Sequence, residues 1–150
     1  MLPTSSLKFD YLLFPAAPNE AFPHRSYAKR PVINIKLLFD DKTVKYPVLI
    51  DSGADFCIFH AEIARDLLNL PVKKGKKLIF YGTGGIAQTA YFHNIQIDLC
   101  GYEIDLFAGF SFDMEKLPYG ILGQTGFFDR FKIEFDYQGK RIEIKSKRNK

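Results

Sequence analysis

The chain has 150 residues, enough for one domain with a sizeable core. Hydrophobic residues make up 47% and charged residues 25%, which excludes a disordered or fibrous chain. The net charge is +4, and much of it sits in the tail Lys145-Ser-Lys-Arg-Asn-Lys150, which reads as a solvated end more readily than as a nucleic-acid contact.

Residues 1–30 are irregular in pattern. Leu7 to Phe14 has strand character, and Pro15 to Pro23 is a loop with three prolines. The run Tyr11-Leu-Leu-Phe-Pro-Ala-Ala-Pro18 is too short and too proline-rich to span a membrane, and it makes a poor signal peptide. From Pro31 the pattern sharpens. Ile33, Ile35, Leu37 and Phe39 alternate with less apolar neighbours, as do Val44, Tyr46, Val48 and Ile50. Asp40-Asp41-Lys42 supplies the turn between them. This β-hairpin delivers the chain to Asp51, and Phe56 to Phe59 reads as another short strand.

Ala61 to Leu70 has helical spacing, with Ile63, Leu67 and Leu70 on one stripe and Ala64 and Leu68 beside it. Pro71 is the expected stop. Lys73 to Lys77 reads as a solvated basic turn, because no aromatic platform is interleaved with it. Strands are expected at Leu78–Tyr81 and Ile86–Phe92, so Gly82-Thr83-Gly84-Gly85 falls at a hairpin tip. Strand patterns continue through Ile95–Leu99, Tyr102–Phe110, Lys132–Asp136 and Arg141–Ile144. Between them, Gly120 to Phe131 reads as a strand end, a Gly and a short helix. Many short strands with tight turns indicate an all-β barrel-like domain.

Several chemistries are excluded. Ser52 lacks the Gly two residues earlier that a nucleophile elbow needs. The glycines at 82–85 lead into β periodicity, not into a helix, so they form no dinucleotide loop. His24, His60 and His93 are scattered, with no metal-ligand spacing, and read as surface or turn residues. Cys57 and Cys100 make no disulfide framework and read as buried free thiols in a reducing, cytoplasmic setting.

Asp51 is the residue left to explain. A carboxylate driven between Val48-Leu49-Ile50 and a second apolar strand is costly unless it is paired, hydrogen-bonded or used. An Asx-turn, the ordinary role of Asp-Ser-Gly, fits this apolar setting poorly. The context points to a carboxylate at the floor of a cleft.

Ile50-Asp51-Ser52-Gly53-Ala54-Asp55 resembles the active-site loop of the retroviral-type aspartic proteases, the retropepsin-like family. Gly82 to Gly85 resembles the family's flap. Ile121-Leu122-Gly123 resembles its second signature, packed behind the catalytic loop. The resemblance covers roughly residues 31–145, leaving an N-terminal arm (1–30) and a basic tail (146–150). It implies a single-lobe closed β-barrel of the acid-protease type, with one short helix after the catalytic loop. It implies Asp51 as the catalytic residue, Ser52, Gly53, Ala54 and Asp55 as its supporting loop, and no metal or other cofactor. Since Asp-Ser-Gly occurs once, the second carboxylate must come from a second chain, giving a two-fold homodimer. Ser52 is then expected to bond across the dimer, and the partner is an extended peptide, with no nucleic acid or membrane. One position departs from the family pattern: Gln124 stands where an Arg commonly pairs with the second Asp of the loop, so Asp55 is expected to bond Gln124 or substrate backbone. Phe56, Ile86 and Phe110 are the expected cleft-lining apolar residues. The alternatives are a non-catalytic peptide-binding or scaffold domain on the same fold and, more remotely, nucleic-acid binding through Lys73–Lys77 and the tail.

Overall fold

The structure is a computed structural model and describes residues 6–82 and 84–147. Residues 1–5 of the arm, Thr83 of the expected flap and residues 148–150 of the tail lie outside the described residues. Strand β1 runs Leu7–Asp10, β2 Leu12–Pro15, β3 Tyr27–Arg30, β4 Val32–Phe39, β5 Lys42–Ile50 and β6 Ile58–His60. Helix α1 spans Ala61–Leu68, and a single 3-10 turn covers Val72–Lys74. Then come β7 Lys76–Tyr81, β8 Ala87–Leu99, β9 Tyr102–Ser111, β10 Gly120–Leu122, β11 Phe131–Asp136 and β12 Arg141–Ser146.

The mostly-β character with one helix is as expected, but the closed barrel is not. The strands divide among three sheets. The largest has seven strands in the order β4-β5-β10-β6-β9-β8-β7, with β4 also touching β8 over Lys36–Leu38 and Gln96–Asp98. That seam is three residues long and leaves β7 as an edge strand, so the sheet is not closed into a barrel. The physical reason is that alternation along a strand reports which face is buried and says nothing about how ladders join at their ends.

The alternation does place the core. Ile33, Ile35 and Leu37 of β4 and Tyr46, Val48 and Ile50 of β5 are buried, together with Phe59, Ile97, Leu106, Phe110 and Phe127. Each fully buried side chain of this size contributes roughly 1.5–3 kcal/mol. A second, smaller apolar cluster joins Ile58, Ala90, Phe92 and Met114, with Phe56, Phe80 and Ile121 packed against it.

Helix α1 ends earlier than expected, at Asn69, whose left-handed backbone (φ 53°) closes the last turn before Pro71 is reached. Its buried face is Ala61, Ala64 and Leu68, while Leu67 is 55% exposed. Two stripes overlapped in the sequence, and the one with two alanines won because it lets the helix approach the sheet closely. The segment after Gly123 is a series of turns and not the expected helix. Its backbone N–H groups reach back five residues, Phe128 to the Gly123 carbonyl and Asp129 to that of Gln124.

The arm is more ordered than its sequence suggests. β1 pairs antiparallel with β12, which pairs with β11, and β2 and β3 form a separate hairpin. Lys29 lies 4.4 Å over the Tyr137 ring and donates to the Tyr137 carbonyl at 3.2 Å, which fastens the hairpin to the turn after β11. Cys100 departs from the buried-thiol reading: it is exposed in the β8–β9 turn with φ 52°, where the reversal needs a left-handed residue. Among the described residues, no helix is long and apolar enough to cross a membrane.

Candidate active site

Asp51 sits just past the end of β5, half-buried. The apolar run before it is a strand because Val48 and Ile50 face the core, and Asp51 is the first residue beyond that cover. Strand β10 then locks the loop. It lies parallel to β5, with Gly120, Ile121 and Leu122 opposite Val48, Leu49 and Ile50. It also lies antiparallel to β6, with Ile121 opposite Ile58. One three-residue strand thus holds both ends of the 51–57 loop.

The loop's hydrogen bonds account for its shape. The Asp51 amide donates to the Leu122 carbonyl at 3.0 Å. The Gly53 amide donates to Asp51 Oδ1 at 2.9 Å, which fixes the carboxylate's orientation. This is an Asx-turn, contrary to the expectation from the apolar setting, and it forms because Asp51 lies just past the covered end of β5. The Ala54 amide returns to the Asp51 carbonyl at 3.3 Å, closing a tight turn. Gln124 and Thr125 donate their amides to the carbonyls of Ala54 (2.8 Å) and Asp55 (3.0 Å).

Gln124 answers the question raised by its position. Its side-chain amide donates to the Ser52 carbonyl at 2.8 Å, so it braces the loop through backbone and not through the Asp55 carboxylate. A neutral donor suits this task, because the partner is a neutral carbonyl. Asp55 and Ser52 are both exposed. Gly123 is required by close approach: a Cβ there would stand 2.2 Å from the Phe56 carbonyl oxygen and 2.7 Å from that of Ala54. The expected set Asp51 to Asp55 with Ile121, Leu122 and Gly123 is therefore brought together at one place.

One further group completes the floor. Cys57 is buried beneath the loop. It accepts from the Gly123 amide at 3.4 Å and donates to the Thr125 carbonyl at 3.5 Å. Burial pushes its thiol up to about 11, with the Gly123 hydrogen bond opposing the rise. Such a thiol packs and bonds but is no nucleophile near neutrality.

The glycine hairpin lies where expected. β7 and β8 pair from Lys76–Phe92 to Tyr81–Ala87, and Gly82 and Gly85 close the tip, the Gly85 amide donating to the Gly82 carbonyl at 2.9 Å. Gly85 has φ +72°, a conformation that favours glycine there. Gly82, Gly84, Gly85 and Ile86 are exposed, Ile86 at 73%. The base of the hairpin reaches the loop through the smaller apolar cluster, in which Phe80, Ala90 and Phe92 meet Phe56 and Ile121. Phe56 and Phe92 stack edge-on at 5.6 Å. Phe110 is a correction to the expected cleft lining: it is fully buried in the main core against Phe59. In a strand with a continuous buried run, apolar character alone does not tell cleft from core.

Two histidines are not the surface or turn residues expected. His60, at the start of α1, bonds through both ring nitrogens. Nε2 faces the carbonyls of Met114 (3.0 Å) and Leu117 (2.8 Å), so it carries the proton. Nδ1 faces the hydroxyl of Tyr46, which also accepts from the His60 amide at 2.9 Å. His93 Nε2 bonds the Val72 carbonyl at 2.6 Å. His24 is exposed in a turn, as expected. Nothing in the sequence marks Tyr46 and His60 as partners, since they lie 14 residues apart on separate strands. Among the described residues, no group of three His, Cys, Asp or Glu side chains is placed to hold a metal ion.

No protein-family model and no curated protein matches the chain. Solved structures do. A retropepsin-like aspartic protease from Rickettsia conorii superposes with a TM-score of 0.54 at 17% identity, over 90% of this chain and 98% of that one. The EIAV protease complexed with the inhibitor HBY-793 aligns at 22% identity and a TM-score of 0.48, over 64% of this chain and 83% of that one. The fold of this chain resembles that of retropepsin-like aspartic proteases, at low sequence identity.

Proposed function

We propose that this chain is an aspartic endopeptidase active as a two-fold homodimer. The observation that carries the reading is Asp51: a half-buried carboxylate oriented by the Gly53 amide, in a loop clamped at both ends by β10. The fold likeness supports it.

Peptide hydrolysis of this kind needs a water that one group deprotonates while another protonates the carbonyl oxygen. Two carboxyls that share one proton perform both tasks, because like charges about 3 Å apart cannot both ionise, a separation general to aspartic-protease pairs. The pair titrates as a unit. One chain supplies one Asp-Ser-Gly, so a second copy supplies the other Asp51. Ser52 is assigned the cross-dimer hydrogen bond beneath the pair. Substrate lies extended against backbone, as an added strand. The 82–85 tip closes over it, helped by glycine's freedom of backbone angle. No metal or other cofactor enters this scheme.

The second reading, a non-catalytic peptide-binding domain, is favoured by the exposure of Asp55, whose carboxylate the Gln124 side chain leaves unbraced because it bonds the Ser52 carbonyl. The test is cleavage of an unbiased peptide mixture from about pH 3 to 8, at several protein concentrations, beside Asp51→Asn. The protease reading expects cleavage that rises more than linearly with protein and is lost in the variant. Cleavage that survives Asp51→Asn, or comes from a strict monomer, overturns it. Peptide binding without cleavage at any pH installs the second reading.

A further inference from the structure

We infer that Asp113 is a positioning residue that tethers the glycine hairpin at its hinge. Its carboxylate Oδ2 accepts a hydrogen bond from the backbone amide of Thr89 at 2.9 Å, across 24 residues of sequence.

The ladder geometry explains why an acceptor is needed there. β8 pairs with β9 from Leu99–Tyr102 to Tyr91–Phe110, and there the ladder stops. Amides along a strand point alternately to its two sides. Thr89 shares the sense of Tyr91, so its N–H points to the side β9 has just left. The Asp113 carboxylate takes the place of the missing strand carbonyl. On the other side β8 remains paired with β7 out to Tyr81–Ala87. Beyond Thr89 the hairpin is therefore a two-stranded ribbon with Gly82 and Gly85 at its tip.

The segment that carries Asp113 is held on three counts. The Asp113 amide donates to Ser111 Oγ at 3.1 Å, and Ser111 is fully buried. Met114 is inserted in the smaller apolar cluster beside Ala90 and Phe92, the strand neighbours of Thr89. His60 Nε2–H bonds the Met114 and Leu117 carbonyls. The acceptor is thus fixed to the frame and the donor belongs to the hairpin. Asp113 sets the point about which the hairpin pivots, and so the angle at which its tip approaches the Asp51 loop. The catalytic consequence rests on the protease reading; the tether itself does not.

The experiment is amide hydrogen exchange, residue by residue, on wild type, Asp113→Ala and Asp113→Asn. A charge-assisted bond at an exposed site predicts exchange at Thr89 about five- to tenfold faster in Asp113→Ala. His93, deeper in the same ladder, keeps its wild-type rate. Asp113→Asn lies between, because its amide oxygen still accepts. Where wild type cleaves peptide, Asp113→Ala raises KM by more than it lowers kcat. Unchanged exchange at Thr89, or acceleration spread evenly over Thr89 and His93, overturns the tether. Absence of cleavage in wild type overturns the protease reading and leaves the exchange result standing.

Discussion

Gly123→Ala tests the account of the loop most directly. The added Cβ would meet the Phe56 carbonyl oxygen at 2.2 Å, where ordinary contact begins at 3.4 Å. Backbone must therefore retreat by roughly 1 Å, and the atoms in the way belong to the loop itself and cannot rotate aside like a side-chain end. Overpacking of this kind costs about 1–3 kcal/mol, and rigid backbone puts it at the upper end. The retreat also stretches the bonds from Gln124 and Thr125 to the Ala54 and Asp55 carbonyls, each worth about 1 kcal/mol. The expected total is about 4 kcal/mol. For a chain of this length that lowers the thermal midpoint by about 10 °C. The assay is thermal unfolding beside Gly84→Ala, where an added Cβ has nothing within 4 Å. A Gly123→Ala midpoint equal to that of Gly84→Ala would refute the claim that close backbone approach dictates glycine behind the loop.

Tyr46→Phe removes a hydroxyl that serves both the amide and Nδ1 of His60, and it should cost about 1–3 kcal/mol in chemical denaturation; a loss under about 0.5 kcal/mol would show that water or another group replaces it. Burial raises the Cys57 thiol to about 11 from a usual value of 9.0. The unfolded chain then releases this proton first, so the stability that neutral Cys57 contributes is complete below about pH 9 and is lost as pH rises through about 11. Tyr46, raised chiefly by burial, adds to the same alkaline fall. Unfolding midpoints from about pH 8 to 11 should decline less steeply in Cys57→Ala than in wild type, and equal slopes would count against the assignment.

The hairpin from Ile33 to Ile50 was legible because its alternation is strict and its turn residues are explicit. Asp51 stood out because a carboxylate interrupts an apolar run, and the glycines at 82–85 were placed at a tip by the strand patterns on either side. Sheet closure was not legible, since it depends on how the 36–38 and 96–98 segments meet and on where β7 is left. Leu67 and Phe110 were misplaced for related reasons. Hydrophobic character marks a residue that can be buried, and only packing decides between two overlapping stripes or between cleft and core. The Tyr46–His60 and Asp113–Thr89 pairs carry no local signature, because each joins groups brought close by strands that the sequence does not register against one another. Gln124 was seen as a departure from a pattern, yet its actual partner, the Ser52 carbonyl, is a backbone atom on which composition is silent.

The clamp formed by β10 has a consequence for the life history of the molecule. The brace just after it, from the Gln124 side chain to the Ser52 carbonyl, spans 72 positions. During synthesis the loop emerges long before the strand that shapes it. Contacts of such high sequence separation form late, after the loop-closure entropy between them has been overcome. A nascent chain that has not yet reached residue 125 therefore has the local turn of Asp51, Gly53 and Ala54 without the bonds to Leu122 and from Gln124 and Thr125 that fix the loop to the sheet. Order at the candidate site and completion of the fold therefore arrive together.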